Sequence, residues 1–235
     1  MDRRPASIEK CIDPRLTARV DDACESFIES VWKRSNGLAL RISPVDAGVV
    51  ERPGRTRFDL RVSNDPLQIG GPLRCSANSL PILDQSLGLV VLDRTGVMGL
   101  AVQDALVTEA LRMLADDGHL LVIDYNPLGW LGLKAKRRGL ILASTAARIR
   151  RVLRASDLEH IETDHRLWWP PLPSSWLNRC SVGLERIGQR LWPALGSIYA
   201  VSGRKRGNNV ILIPLGQRSL QHNLMTTAGS MRRAN

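Results

Sequence analysis

The chain reads as an α/β protein, with a central mixed sheet flanked by helices in a Rossmann-like arrangement. Three observations predict this. Residues 87–92 and 118–123 are near-continuous apolar runs, the pattern of strands buried on both faces. Residues 100–115, between them, have helical period: Val102, Leu106, Ala110, Met113 and Leu114 share one side, while Gln103, Asp104, Thr108, Glu109 and Arg112 mostly fall elsewhere. A strand–helix–strand order of this kind brings two strands side by side and parallel, with the helix crossing over them.

The remaining elements follow in order. Residues 12–34 carry Ile12, Leu16, Val20, Cys24, Phe27, Ile28 and Val31 at three- and four-residue steps, which predicts a helix with Pro14 near its start. Residues 37–42 read as the first strand. Residues 57–62 alternate polar with apolar and read as the second. The connection between them contains Pro53 and Gly54 and leaves little room for a crossover helix. Residues 73–76 read as a short third strand after a Gly-Gly-Pro turn, and Gly118 reads as the stop of the central helix. Glu109 and Arg112 are three apart and placed to pair on that helix. Residues 133–139 read as a basic linker. A helix is expected over 144–155, with Ile149, Val152 and Leu153 inward, then strands over 157–163 and 197–202. The organisation expected is an N-terminal helical segment (1–36), an α/β domain (37–215) with an insert at about 168–195, and a flexible tail (216–235).

Composition narrows the function classes. A chain of 235 residues suffices for one well-cored domain. It has no apolar run long enough to span a bilayer, and the polar start Met1–Pro5 does not resemble a signal peptide. A cytoplasmic location is the expectation. Cys11, Cys24, Cys75 and Cys180 are scattered, which favours reduced, structural thiols. His119, His160, His165 and His222 form no metal-ligand pattern. Serine nucleophile elbow, Walker loop and zinc-hydrolase signatures are absent. Charge is uneven: residues 1–125 hold 15 Lys/Arg against 18 Asp/Glu, and residues 126–235 hold 18 against 5. The basic half suits an acidic protein, anionic lipid or nucleic acid, or is a solvated surface.

The order from Leu73 to Trp130, including Leu80-Pro81, Asp84-Gln85-Ser86 and Asn126-Pro127 with Trp130 nearby, resembles the second half of a class I S-adenosylmethionine (SAM)-dependent methyltransferase. It looks closest to a bacterial branch of the type 11 kind. The resemblance implies a final antiparallel hairpin beside the parallel sheet, and SAM at the carboxyl ends of the strands. In that family an acid ends the first strand and a glycine-rich turn follows. This chain has Arg41, Ser43 and Pro44 there, with Gly48 the loop's only glycine.

The resemblance places five cofactor candidates. Asp46 is positioned for the amino group of SAM, or to cap a short helix. Gly48 is the turn glycine. Asp65 is positioned for the ribose hydroxyls, or belongs to an Asp-Pro turn. Asn78 and Ser79 fit the adenine loop. The family often has an acid near the start of its fourth strand, where this chain has Gly88. Two catalytic candidates sit at strand ends. Asp93 suits a general base or acceptor-orienting group, or a surface pair with Arg94. Asn126 suits an acceptor-holding group, or a rigid turn docking Trp130. Trp168, Trp169, Trp176 and Trp192 either wall an acceptor pocket or pack the insert.

Three functional readings follow: a SAM-dependent methyltransferase with a degenerate cofactor site; a non-catalytic relative, a pseudoenzyme, serving as a protein-binding partner or scaffold; and, more weakly, nucleic-acid binding through the basic half.

Overall fold

Pro14 opens the first helix, where a missing N–H costs no intrahelical bond. The computed structural model describes residues 14–44, 57–62, 68–70, 75–139, 142, 144–156, 158–168 and 188–207. Helix α1 (Pro14–Trp32) buries Leu16, Val20, Cys24, Phe27, Ile28 and Val31, the stripe its period predicts.

Strands β1 (Ala39–Pro44) and β2 (Arg57–Val62) are parallel. Next come β3 (Gln68–Gly70), β4 (Cys75–Ser76) and β5 (Leu87–Asp93). Helix α2 (Leu100–Met113) leads into β6 (Leu114–Tyr125). Helices α3 (Trp130–Arg137) and α4 (Ala146–Ala155), then β7 (Leu158–Arg166) and β8 (Ile198–Lys205), complete the set. The sheet of the described residues has the order β4-β3-β2-β1-β5-β6-β8-β7.

β5 pairs parallel with both β1 and β6, and α2 crosses between β5 and β6 as the sequence predicts. β8 runs antiparallel to both β6 and β7, forming the closing hairpin that the resemblance implies. Side chains alternate across the sheet. Val90, Leu92, Leu120 and Val122 face the α2 and α4 side, with Leu106, Met113, Ile149 and Leu153. Leu89, Val91, Leu121 and Ile123 face α1 and α3, with Val20, Phe27, Leu131 and Ala135. Both faces of the central strands are therefore dry, which is why they read as unbroken apolar runs.

Three expectations are corrected. Residues 75–76 do form a strand, but it is the fourth in the chain and not the third. β3 pairs antiparallel with β2 and β4 antiparallel with β3, so an extra short strand intervenes. Three residues are too few to show a period. Gly118 is not the stop of α2. The helix ends at Met113, and Leu114 at once pairs with Leu87 in the sheet. Residues 133–137, expected as linker, are helical within α3. Leu131 and Ala135 bury one side of it, and Lys and Arg are good helix formers on the other. Residues 169–187 and 208–235, which hold Trp169, Trp176, most of the insert and the expected tail, lie outside the described residues.

Candidate functional site

The carboxyl ends of β1 and β5 meet on the α1 side of the sheet. Arg41 lies in β1 between Leu40 and Ile42, both of which point to the other face. Its own side chain therefore points towards α1, where it is 3 % exposed. Arg41 Nη2 stands 2.5 Å from Asp93 Oδ2, its Nε donates to the same oxygen at 3.2 Å, and its Nη1 reaches Glu25 Oε1 of α1 at 2.5 Å. Arg94 approaches the same carboxylate from the other direction. Its Nε donates to Asp93 Oδ1 at 3.2 Å, its Nη2 to Oδ2 at 3.3 Å, and its Nη1 pairs with Asp21 of α1 at 2.9 Å. The backbone at Arg94 is left-handed, φ 55°, which turns the chain sharply enough to aim its side chain back at Asp93.

Asp93 is wholly buried beneath two guanidinium groups. It is neither the exposed partner of Arg94 nor open to solvent. Burial is the largest influence on Arg94 and opposes its charge, but Asp93 and its other neighbours, Cys24, Tyr125 and Asp21, together outweigh it and raise the pKa above its ordinary value; at Arg41, Asp93, Glu25 and Cys24 together do the same. Burial raises Asp21, against the opposing pull of Arg94. Burial also pushes the Cys24 thiol well up, and the nearby Asp93 adds to this, so Cys24 is an inert, free, buried thiol.

A second buried polar pair occupies the opposite face. Asp124, at the end of β6, accepts from Gln103 Nε2 at 3.0 Å and from its neighbour Tyr125 N at 2.7 Å. Gly96 packs directly on it: a Cβ there would stand 1.8 Å from Asp124 Oδ2. Burial raises the Asp124 pKa to about 7, and the surrounding donors only partly offset this. The sequence signal for this pair is an acid ending an otherwise apolar strand, with an amide at an inward position of the preceding helix.

Asn126 closes the same strand. Its Nδ2 donates to Ala194 O at 2.7 Å and Gly196 O at 2.8 Å, and its Oδ1 accepts from Leu128 N at 3.1 Å. The side chain thus stitches the turn after β6 to the segment before β8. Asn78 and Ser79 lie in an exposed turn after β4, with Ser79 bridged to Ser76. The turn is anchored just beyond, at Leu80. Leu80 N donates to Glu109 Oε2 at 3.0 Å, and Arg112 donates to Leu80 O and Ile82 O at 2.9 Å each and pairs with Asp84. Glu109 and Arg112 do pair, at 2.8 Å, and together they hold the loop. Asp46, Gly48 and Asp65 lie outside the described residues. Asp93 and Asn126 therefore lie at the ends of neighbouring strands, and their side chains go to different partners.

An open cleft of about 680 Å³ lies at the opposite, amino end of the strands, between Asn36, Gly88, His119 and Glu162. Two ion pairs line it, Arg34 with Glu162 at 3.0 Å and Arg204 with Asp117 at 2.8 Å, and Asp116 lies beside them.

No protein-family model and no curated protein matches the sequence. Solved structures do resemble the fold. A SAM-dependent methyltransferase from Archaeoglobus fulgidus is 9 % identical, with a TM-score of 0.53 over 80 % of this chain and 94 % of that one. A possible histamine N-methyltransferase from Thermotoga maritima is 14 % identical, with a TM-score of 0.46 over 73 % of this chain and 82 % of that one. Haemonchus contortus phosphoethanolamine N-methyltransferase 2, solved with S-adenosyl-L-methionine, is 12 % identical, with a TM-score of 0.47 over 73 % of this chain and 49 % of that one. The sheet order and the Archaeoglobus likeness together establish a Rossmann-like class I methyltransferase fold.

Proposed function

We propose that this chain is a methyltransferase-fold protein with a degenerate cofactor site, acting by binding a partner rather than by methyl transfer. The observation that carries this reading is the Arg41–Asp93–Arg94 cluster closed over by Asp21 and Glu25 of α1. SAM, the cofactor the fold implies, brings a sulfonium, an ammonium and a carboxylate to the carboxyl ends of the strands. The described residues there offer two guanidinium groups, and a carboxylate that both already hold. All three are buried and already paired with one another and with α1, so neither the cations nor the carboxylate of SAM meets an open partner among them. Pro44 also leaves the carboxyl end of β1 without a backbone donor at that position.

This reading assigns Asp93 and Asn126 to structure instead of catalysis. Asp93 neutralises two buried cations, and Asn126 ties two loops. Asp46, Gly48, Asp65, Asn78 and Ser79 remain the positions through which SAM would bind if the reading is wrong. A nucleic-acid role rests on the charge of the basic half alone.

Calorimetric titration of the purified chain with SAM and with S-adenosylhomocysteine tests the proposal. The expected outcome is no saturable micromolar binding. Two lost charged hydrogen bonds at about 1.5–3 kcal/mol each weaken binding on the order of a hundredfold or more. A clear micromolar constant that is lost in Asp65→Ala or Asn78→Ala overturns it and restores a SAM-dependent methyltransferase.

A further inference from the structure

The two segments that Asn126 joins share an unusual surface. Residues 126–139 and 188–196 carry Leu128, Leu133, Leu191, Trp192 and Leu195 at 62, 55, 59, 57 and 42 % exposure. These are five of the seven large apolar side chains exposed among the described residues. Scattered apolar residues on a surface need no explanation, but a concentration of them does. The segments are tied to one another. Besides the Asn126 bonds, Leu131 N donates to Ser197 Oγ at 3.4 Å, and Gly129 packs so closely on Ser197 that a Cβ would stand 2.6 Å from its Cα.

The same two segments are cationic. α3 presents Lys136 and Arg137 to solvent, with Lys134 half-buried, and Arg190 is exposed beside Leu191. Neither residues 126–139 nor residues 188–207 contain an Asp or Glu. This combination selects among partners. Nucleic acid rewards the cations but has no use for exposed leucines. The core of a protein interface is depleted of lysine. An anionic bilayer surface rewards both: apolar side chains enter the headgroup–acyl boundary, Trp favours that depth, and Lys and Arg meet the phosphates from stems that lie along the apolar surface.

We infer that this face docks on membranes rich in anionic phospholipid. Leu131 and Ala135 stay against the sheet while Leu133, Lys136 and Arg137 face outward, so docking requires no unfolding of α3. Among the described residues no helix is long and apolar enough to cross a bilayer, and the contact is peripheral. This inference goes beyond the reading of the cofactor site, and it stands or falls separately from SAM titration.

The test is co-sedimentation of the full chain with vesicles of phosphatidylcholine alone and of phosphatidylcholine mixed with phosphatidylglycerol. Binding is expected only to the mixed vesicles, weakening as salt is raised. Leu133→Asp with Trp192→Asp, and separately Lys136→Glu with Arg137→Glu, should each lower affinity roughly tenfold or more without lowering the melting temperature. These residues are exposed, so the variants are expected to fold. The unsubstituted chain provides a second readout, quenching of its tryptophan emission by brominated acyl chains. Absence of binding to mixed vesicles, absence of quenching, affinity unchanged by the two aspartates, or tighter binding to RNA or DNA than to vesicles would each overturn the inference.

Discussion

The carbonyl oxygen of Asn36 stands 1.5 Å from the point that a Cβ on Gly88 would occupy. Gly88 N donates to Leu38 O at 2.9 Å, so the start of β5 lies backbone against backbone on the chain entering β1. The acid that the methyltransferase resemblance suggests near this point has no room. Gly88→Ala is therefore expected to destabilise the fold by about 1–3 kcal/mol or more, because the atom it meets is main chain and cannot swing away. Urea unfolding measures it. Leu83→Ala, at an exposed position, serves as the control and should shift stability by under about 0.5 kcal/mol.

Breaking the Arg41–Asp93–Arg94 cluster should be costly from any side. Arg41→Ala leaves Asp93 with one cation and Glu25 without its partner in the cluster. A loss of about 3–5 kcal/mol is expected, the cost of stranding a buried charge. Chemical denaturation of Arg41→Ala and Asp93→Asn tests this. Near-normal stability of both would refute it.

Asp124 gives a pH dependence of definite sign. Its pKa is raised from 3.8 to about 7 in the folded state, so between those values the folded chain holds a proton that the unfolded chain has released. Stability on this account falls as pH climbs through that window, and the loss is complete above about 7. Unfolding curves of the natural chain and of Asp124→Asn across the window separate this group from the others. The difference in stability between the two should shift steadily in favour of the Asn variant as pH rises, and then level off. A constant difference would refute the assignment.

The loop of residues 80–84 depends on α2. Glu109→Ala removes the acceptor of Leu80 N, and Arg112→Ala removes the donor to Leu80 O and Ile82 O. Each is expected to cost about 1–2 kcal/mol and to speed exchange of the Leu80 amide, with β5 amides changed little. Native-state hydrogen exchange distinguishes this from global loosening, in which all amides accelerate together.

The sheet's centre was legible because two dry faces impose the same apolar requirement on every residue of β5 and β6. The α1 stripe was legible for the corresponding helical reason. Arg41 was visible only as a departure from pattern, since its partner Asp93 lies 52 residues away and no local spacing links them. The Glu109–Arg112 pair was readable from its spacing, whereas its hold on Leu80 and Ile82 was not. Asp93 was located at the correct strand end, but the left-handed turn at Arg94 that buries it is a backbone property that residue types do not announce. The α3 helix was missed because its cations dominate the reading, and the short apolar side that Leu131 and Ala135 supply is only one turn long.

The position of β8 between β6 and β7 has a consequence for the order of assembly. β7 precedes β8 in the chain, yet its ladder runs entirely to β8, which also supplies the outer ladder of β6. During synthesis, β6 and β7 must both wait with an unpaired side until residues 198–205 emerge and slide between them. A chain stopped short of Ile198 would present the long apolar edge of β6 to its neighbours, an invitation to pair with another copy. Nascent chains arrested between Arg166 and Ile198 should therefore be the aggregation-prone species, and release past Lys205 the step that makes the protein safe.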